Sequence, residues 1–123
     1  MVDLDQLLNV MGEINSVRRE LESIRSRRRQ IMDSMIKPSK PVELTTLLDA
    51  LNRQAPIDPD LPARLNSLFT ERRRLAHELV RDISSLLGVD PPWGPVKIGN
   101  HTVACESSLP SSLVVDGKYV LLD

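Results

Sequence analysis

Apolar side chains recur at a spacing of seven residues along the stretch from Leu4 to Ile36. Two interleaved sets carry this spacing, namely Leu7, Ile14, Leu21, Arg28 and Met35, and Val10, Val17, Ile24 and Ile31. Such a heptad stripe is typical of a long helix that packs along another helix. Asp3 or Asp5 can accept hydrogen bonds from the free N–H groups at its start, and Pro38 stops it. The pattern therefore predicts one long helix whose stripe is interrupted only by Arg28.

A second heptad stripe runs from Leu61 to Leu87 and predicts a second long helix. Its two sets are Leu65, Arg72, Leu79 and Leu86, and Leu61, Leu68, Leu75 and Asp82. Gly88 suits the left-handed residue that ends a helix, and Pro91-Pro92 prevents the helix from continuing. The two helices are expected to pair as an antiparallel, coiled-coil-like hairpin, because a lone amphipathic rod leaves its apolar stripe in water.

A short helix with a leucine face is predicted between the two long ones, over residues 42–53. Its apolar face consists of Leu44, Leu47, Leu48 and Leu51. We expect it to cap the closed end of the hairpin, near Ile36 and Leu61. The open end then lies near Leu4, Leu7 and Leu86.

The sequence pattern changes after Val89, where short β-prone runs alternate with turn signals. The runs are Val96 to Ile98, His101 to Cys105, Leu113 to Val115 and Lys118 to Leu122. Gly99-Asn100 and Asp116-Gly117 separate them in pairs, and Asp-Gly between β-branched runs is a strong hairpin signal. With residues 106–112 as the connecting loop, the runs predict two hairpins or one four-stranded meander. A sheet of this size needs helices or a second subunit to pack against.

These patterns together predict a mainly α fold. A helical hairpin with its short middle helix occupies residues 1–90, and a small antiparallel β element occupies residues 91–123. We expect the β element to emerge at the open end of the hairpin.

Composition limits the cellular compartment and the kinds of partner that the sequence favours. The formal net charge is −1, and aromatic residues make up 2% of the chain, so no global field or aromatic surface favours nucleic acid. Cys105 is the single cysteine, which excludes an intrachain disulfide and favours a reducing compartment. The start of the chain is acidic, unlike a signal peptide, and no apolar run is long enough for a membrane span. We therefore expect a cytoplasmic protein without a membrane partner.

Seven arginines, here called the arginine belt, are the most suggestive polar feature. They are Arg25, Arg27, Arg28, Arg29, Arg72, Arg73 and Arg74. If Ile36 and Leu61 lie at the same height at the closed end of the hairpin, Arg28 lies at the height of Arg72. Two cations that face each other in a dry seam repel, so their repulsion needs to be relieved. Relief could come from solvent, from Asp33, Glu71 or Glu78, from a second subunit, or from a bound anion. Interleaved glutamates favour a salt-bridged or protein-binding face over a phosphate-binding one.

Trp93 has two interpretations, a plug over the helix ends or an exposed anchor for a partner. The candidate residues for interaction or anion binding are therefore Arg25, Arg28, Arg29, Arg72, Arg73 and Trp93.

Catalytic and metal-binding patterns are weak. His77 has no second histidine at the spacing of a zinc protease, and His101 with Cys105 supplies only two ligands. Cys105 also lacks an evident helper for nucleophilic chemistry. We predict no enzyme, cofactor or metal site.

The leading hypothesis is a non-enzymatic interaction or assembly module, self-associating as a homo-oligomer with a dimer favoured, or binding another protein. Leu8, Met11 and Met32 support it, because one partner helix cannot cover these side positions. The alternative is anion or nucleic-acid binding through the arginine belt.

Overall fold

The computed structural model describes residues 3–107 and 111–123. Three helices precede a four-stranded antiparallel sheet. They are α1 (Asp5–Met35), α2 (Leu44–Gln54) and α3 (Asp60–Leu87), followed by β1 (Trp93–Ile98), β2 (His101–Glu106), β3 (Ser112–Val115) and β4 (Lys118–Leu121). The predicted mainly α class with a C-terminal antiparallel β element is confirmed. The middle of the predicted loop over 106–112 lies outside the described residues.

The ends of the long helices follow the predicted signals. The side chain of Asp3 accepts a hydrogen bond from the backbone N–H of Asp5 at 3.0 Å. Gly88 takes a φ of 72°, and the N–H groups of Gly88 and Val89 both donate to the carbonyl oxygen of Ser84, at 2.9 and 3.2 Å. This pattern closes α3 because it satisfies a carbonyl that has no partner inside the helix.

The four strands form a meander in the order β1-β2-β3-β4. Asp116 and Gly117 both have positive φ, 50° and 80°, as a tight two-residue hairpin turn requires. The predicted hairpins are confirmed. β1 begins at Trp93, three residues earlier than predicted, and its pairing with β2 is irregular between Trp93 and Val96. The sequence does not predict this extension, because Gly94 and Pro95 are poor strand formers.

The chain divides into two compact units. One, here called the sheet unit, comprises Met1–Glu13 and Ser67–Asp123, and the other, the helical unit, comprises Ile14–Asn66. The division predicted at residues 90 and 91 follows the change in sequence pattern, whereas the compact units follow packing. The sheet unit includes helix segments because a small sheet buries one face only against another layer.

The core of the sheet unit joins the start of α1, the last part of α3 and the inner face of the sheet. Its buried members are Leu4, Leu7, Leu75, Ala76, Leu79, Ile83, Trp93, Val103, Cys105, Leu113, Val115, Val120 and Leu122. Alternate residues of the strands supply the inner face, as expected for a sheet with one face in water. The sheet packs on helices of its own chain beside Leu4 and Leu7, as expected, whereas Leu86, the third residue expected there, is 72% exposed.

The helical unit buries one face of α2 and the first part of the α1 stripe. Its buried apolar residues are Ile14, Val17, Leu21, Leu47, Leu51 and Ala55. Burial of Ile14, Val17 and Leu21 follows the heptad positions. α2 begins two residues later than predicted and ends at Gln54.

One predicted heptad position on α3 is wrong. Leu86 was expected in the stripe, yet it is 72% exposed, whereas Leu79 and Ile83 are buried. Leu86 lies on the same side of the helix as Leu79, but in the last turn of α3. The residues that α3 contributes to the core of the sheet unit end at Ile83, so the last turn extends past that core.

Within the described ranges, no helix carries an apolar stretch long enough to cross a membrane.

Candidate interaction site

Exposed apolar side chains on the helical unit form the candidate interaction site. This group, here called the apolar set, consists of Met32, Ile36, Leu44, Leu48 and Ile57. Between 37% and 68% of each residue is exposed, with Leu44 the most exposed. Large apolar side chains in water mark surfaces that bind protein when several occur together.

The positions of these side chains follow from the local structure of α1 and α2. Met32 lies near the end of α1, and Ile36 follows one turn later. On α2, Leu44 and Leu48 are also one turn apart, beside the face that Leu47 and Leu51 bury. A spacing of four residues places two side chains on the same side of a helix, and this is the spacing with which a partner helix is recognised.

Arg28 fixes α2 to α1 inside the helical unit. Its Nη1 donates to the carbonyl oxygen of Ala55 at 2.9 Å and to Oδ1 of Asn52 at 3.3 Å. Arg27 reaches the neighbouring carbonyl of Gln54 at 3.5 Å. The last carbonyls of a helix lack intrahelical partners and carry partial negative charge, so a guanidinium is a favourable neighbour there.

This arrangement corrects the expected role of Arg28. The sequence suggested a cation that faces Arg72 and is relieved by solvent, by an acidic side chain, by a second subunit or by a bound anion. The partner is instead the C-terminal end of α2. The interruption of the heptad stripe is explained without a ligand, because the side chain serves an internal helix end.

The arginines of α3 belong to the sheet unit and have their own neighbours. The guanidinium of Arg72 lies 5.0 Å from the ring centre of Phe69, within cation–π range. Arg74 pairs with Glu71 and, at 2.7 Å, with Glu78. Its hydrogen bond lowers the pKa of the Glu71 carboxyl. Glu71 and Glu78, which were among the options for relieving Arg28 and Arg72, pair with Arg74, as spacings of three and four residues on a helix favour.

The arginine belt therefore divides between the two units. Arg25 and Arg29 are exposed on α1 in the helical unit, and Arg73 is exposed on α3 in the sheet unit. The contacts of Arg28, Arg72 and Arg74 are internal to the protein.

Trp93 is a core residue. It is 8% exposed, and its indole N–H donates to the hydroxyl of Ser84 at 3.0 Å. The interpretation of Trp93 as an exposed anchor is wrong, and the alternative interpretation, a plug against the helices, describes its place. The sequence did not predict a strand at Trp93, because the proline and glycine beside it are poor strand formers.

The histidines and the cysteine have structural surroundings. Nε2 of His77 donates to the carbonyl oxygen of Leu122 at 2.5 Å. Cys105 is buried, and burial, with a smaller contribution from the charge of Glu106, raises the pKa of its thiol. A thiol with raised pKa is a poor nucleophile at neutral pH. Over residues 3–107 and 111–123, no three potential metal ligands come together.

Asp116 is a structural residue that sequence reasoning missed. Its carboxylate accepts a hydrogen bond from the backbone N–H of Thr102 at 2.8 Å and one from Nδ1 of His101 at 2.7 Å. The bond from Thr102, followed by that from His101, lowers the pKa of Asp116. The signal was available, because the predicted strands place this turn beside the start of β2.

Comparison of the chain with protein-family models, with curated proteins and with solved structures gave no match. What the chain does is therefore inferred from its own surface and core.

Proposed function

We propose that this chain is a non-enzymatic, cytoplasmic assembly module that binds a second copy of itself through its helices. In this proposal α1 and α3 form an antiparallel hairpin of coiled-coil character, and the apolar set supplies the contact between copies. One observation carries the proposal, namely that five large apolar side chains of the helical unit remain 37% to 68% exposed.

The hairpin part of the proposal is supported by burial within the sheet unit. Leu4 and Leu7, at the start of α1, share one core with Leu79 and Ile83, near the end of α3. Helices that run antiparallel bring the start of one to the end of the other. Burial of Leu7 is also what the heptad pattern requires.

The energetic argument for a partner comes from the apolar set. Burying a side chain such as Leu or Met is worth about 1.5–3 kcal/mol relative to leaving it in water. Leu44 and Leu48 on α2, with Met32 and Ile36 at the end of α1, provide two pairs at helical spacing. A helix from a second copy could bury several of them together, and the flexible side chain of Met32 adapts to an irregular surface.

Mutation of the apolar set tests this function. In Leu44→Lys/Leu48→Lys, two charges replace apolar contacts, and the average mass in sedimentation equilibrium should fall below that of the unmodified protein. Thr45→Lys/Thr46→Lys is the matched control, because both threonines are exposed on the same helix and the charge change is identical. Equal masses for the two variants at every concentration would refute the role of the apolar set.

The second candidate function is binding of an anion or nucleic acid. It is favoured by the exposure of Arg25 and Arg29, which lie one turn apart on α1. Phosphate contacts weaken as salt rises, since bound counterions are released on association. Binding to RNA or DNA that falls with salt and is lost in Arg25→Met/Arg29→Met would establish this function. Absence of such binding at low salt would exclude it.

A further inference from the structure

The last strand of the sheet has backbone groups that point away from the protein. β4 lies at an edge of the sheet and pairs with β3 on one side. Just beyond the strand, the N–H of Leu122 donates to the carbonyl oxygen of Ser111 at 3.0 Å. Backbone groups alternate in direction along an antiparallel pair. Lys118 and Val120 therefore direct their N–H and C=O groups toward β3, as Leu122 does with its N–H.

The outward groups of the strand are those of Tyr119 and Leu121. The same two residues carry exposed apolar side chains on the outer face, with exposed fractions of 61% and 48%. Val120 between them is fully buried on the inner face. Natural sheet edges are commonly protected by charges, proline or a bulge. In β4 the only charged residue is Lys118.

We propose that β4 pairs antiparallel with β4 of a second copy, which joins the two sheets into one of eight strands. In the register we assign, Tyr119 of each copy faces Leu121 of the other. In this register the two outward residues of one strand lie opposite the two outward residues of the other strand, and together they form four N–H···O hydrogen bonds. The two-fold axis passes between the two copies of Val120. On the outer face, each Tyr119 ring lies beside a leucine, a favourable cross-strand pair.

Charge favours a second copy of this chain, in antiparallel orientation, as the partner of β4. Lys118 begins the strand, and Asp123 lies two residues after its end. Antiparallel pairing brings Lys118 of each copy to within one residue of Asp123 of the other, so that a long-range attraction occurs twice. The two side chains form no direct ion pair, because Lys118 lies on the inner face and the carboxylate of Asp123 accepts a hydrogen bond from the backbone N–H of Ser111, on the β3 side, at 3.0 Å. Parallel pairing would instead place the two lysines side by side, and like charges opposite each other are destabilising.

This association goes beyond the proposed function. It lies in the sheet unit and depends on backbone hydrogen bonds, whereas the apolar set belongs to the helical unit. Two surfaces of this kind on one chain would allow assembly beyond a dimer, because each surface can take a different copy.

Amide hydrogen exchange of the unmodified protein, resolved by residue, tests the pairing. Lys118, Val120 and Leu122 serve as internal controls, since their amides already face β3. Over roughly a hundredfold rise in concentration, exchange at Tyr119 and Leu121 should slow by at least about tenfold, while exchange at the three controls should change little. Exchange at Tyr119 and Leu121 that is equally fast at every concentration would overturn the proposal.

A pair of variants separates this surface from the apolar set. Tyr119→Lys/Leu121→Lys places charges on the edge and should abolish self-association through it, with circular dichroism as the check on folding. Leu86→Lys/Leu87→Lys adds the same charge at exposed apolar positions of the same unit and should leave the protection at residues 119 and 121 intact. Leu44→Lys/Leu48→Lys should also retain the amide protection at residues 119 and 121, even where its average mass is lower than that of the unmodified protein.

The outcomes of these variants are distinct. If Leu86→Lys/Leu87→Lys loses the amide protection at residues 119 and 121, the edge pairing is overturned. It is also overturned if Tyr119→Lys/Leu121→Lys is folded and its amide at residue 121 stays protected. Protection that appears only when a foreign peptide is added would overturn the second copy as occupant. Neither result bears on the masses of the α2 variants, which decide the proposed function.

Discussion

At the scale of single residues, Arg28 shows how a polar side chain can hold an apolar contact in place. It sits in a heptad position of α1, and its guanidinium reaches the last turn of α2, where Ala55 and Asn52 accept its hydrogen bonds. The contact satisfies a helix end and holds α2 against α1. The exposed side chains of α2 depend on that placement.

Replacement of Arg28 by Met should lower the free energy of unfolding by about 1–2 kcal/mol, because the carbonyl of Ala55 loses a charged donor. Arg29→Met is the matched control, since Arg29 is exposed on the same turn. Denaturant unfolding measures both variants. If Arg28→Met proves as stable as Arg29→Met, the contact does not support the helical unit.

Asp116 makes the stability of the folded protein depend on pH in the acidic range. Its folded-state pKa is lowered, so the unfolded chain binds a proton more readily, and ionised Asp116 stabilises the fold above its ordinary pKa of about 4. That contribution is lost as pH falls through the lowered folded-state pKa. Asp116→Asn should therefore show a smaller loss of stability between neutral pH and strong acid. Asp90→Asn, an exposed site with the same charge change, is the control, and identical acid profiles for wild type and Asp116→Asn would contradict this role.

At the scale of elements, the sequence predicts most of the secondary structure, and geometry decides which faces are buried. Helix ends at Gly88 and turns at Asp116-Gly117 were predictable because few residues tolerate positive φ. The exposure of Leu86 was harder to predict, since it shares its heptad position with buried Leu79 and only the extent of the core, which ends at Ile83, separates the two. The early start of β1 was also hidden, because packing of Trp93 overrides the weak strand tendency of Gly94 and Pro95.

Two glycines provide a test of these element-level arguments. Apart from its chain neighbours and the nearby backbone of its own helix, a Cβ added at Gly12 or Gly88 meets no heavy atom within 4 Å, so backbone conformation separates the two sites. Gly12→Ala, inside α1, should stabilise the protein by about 0.5–1 kcal/mol. Gly88→Ala, with a φ of 72°, should destabilise it by about 1 kcal/mol. Thermal unfolding of both variants measures the difference, and a shift of the same sign in both would contradict the account of the α3 end.

At the scale of the whole molecule, local patterns could not predict how the chain divides into compact units. The sheet unit draws on both ends of the sequence, from the start of α1 to β4. Contacts between residues so far apart in the chain depend on tertiary packing, which periodicity does not encode. The candidate site changed for the same reason. Arg28 and Trp93 proved to be internal contacts, whereas Leu44 and Leu48, first interpreted as a capping face, lie in water.

The central claim is that this chain assembles with itself. Sedimentation equilibrium of the unmodified protein over a wide range of concentration tests it most directly. Self-association requires an average mass that rises with concentration from 13.8 kDa to at least twice that value. A mass of 13.8 kDa at every concentration would contradict it.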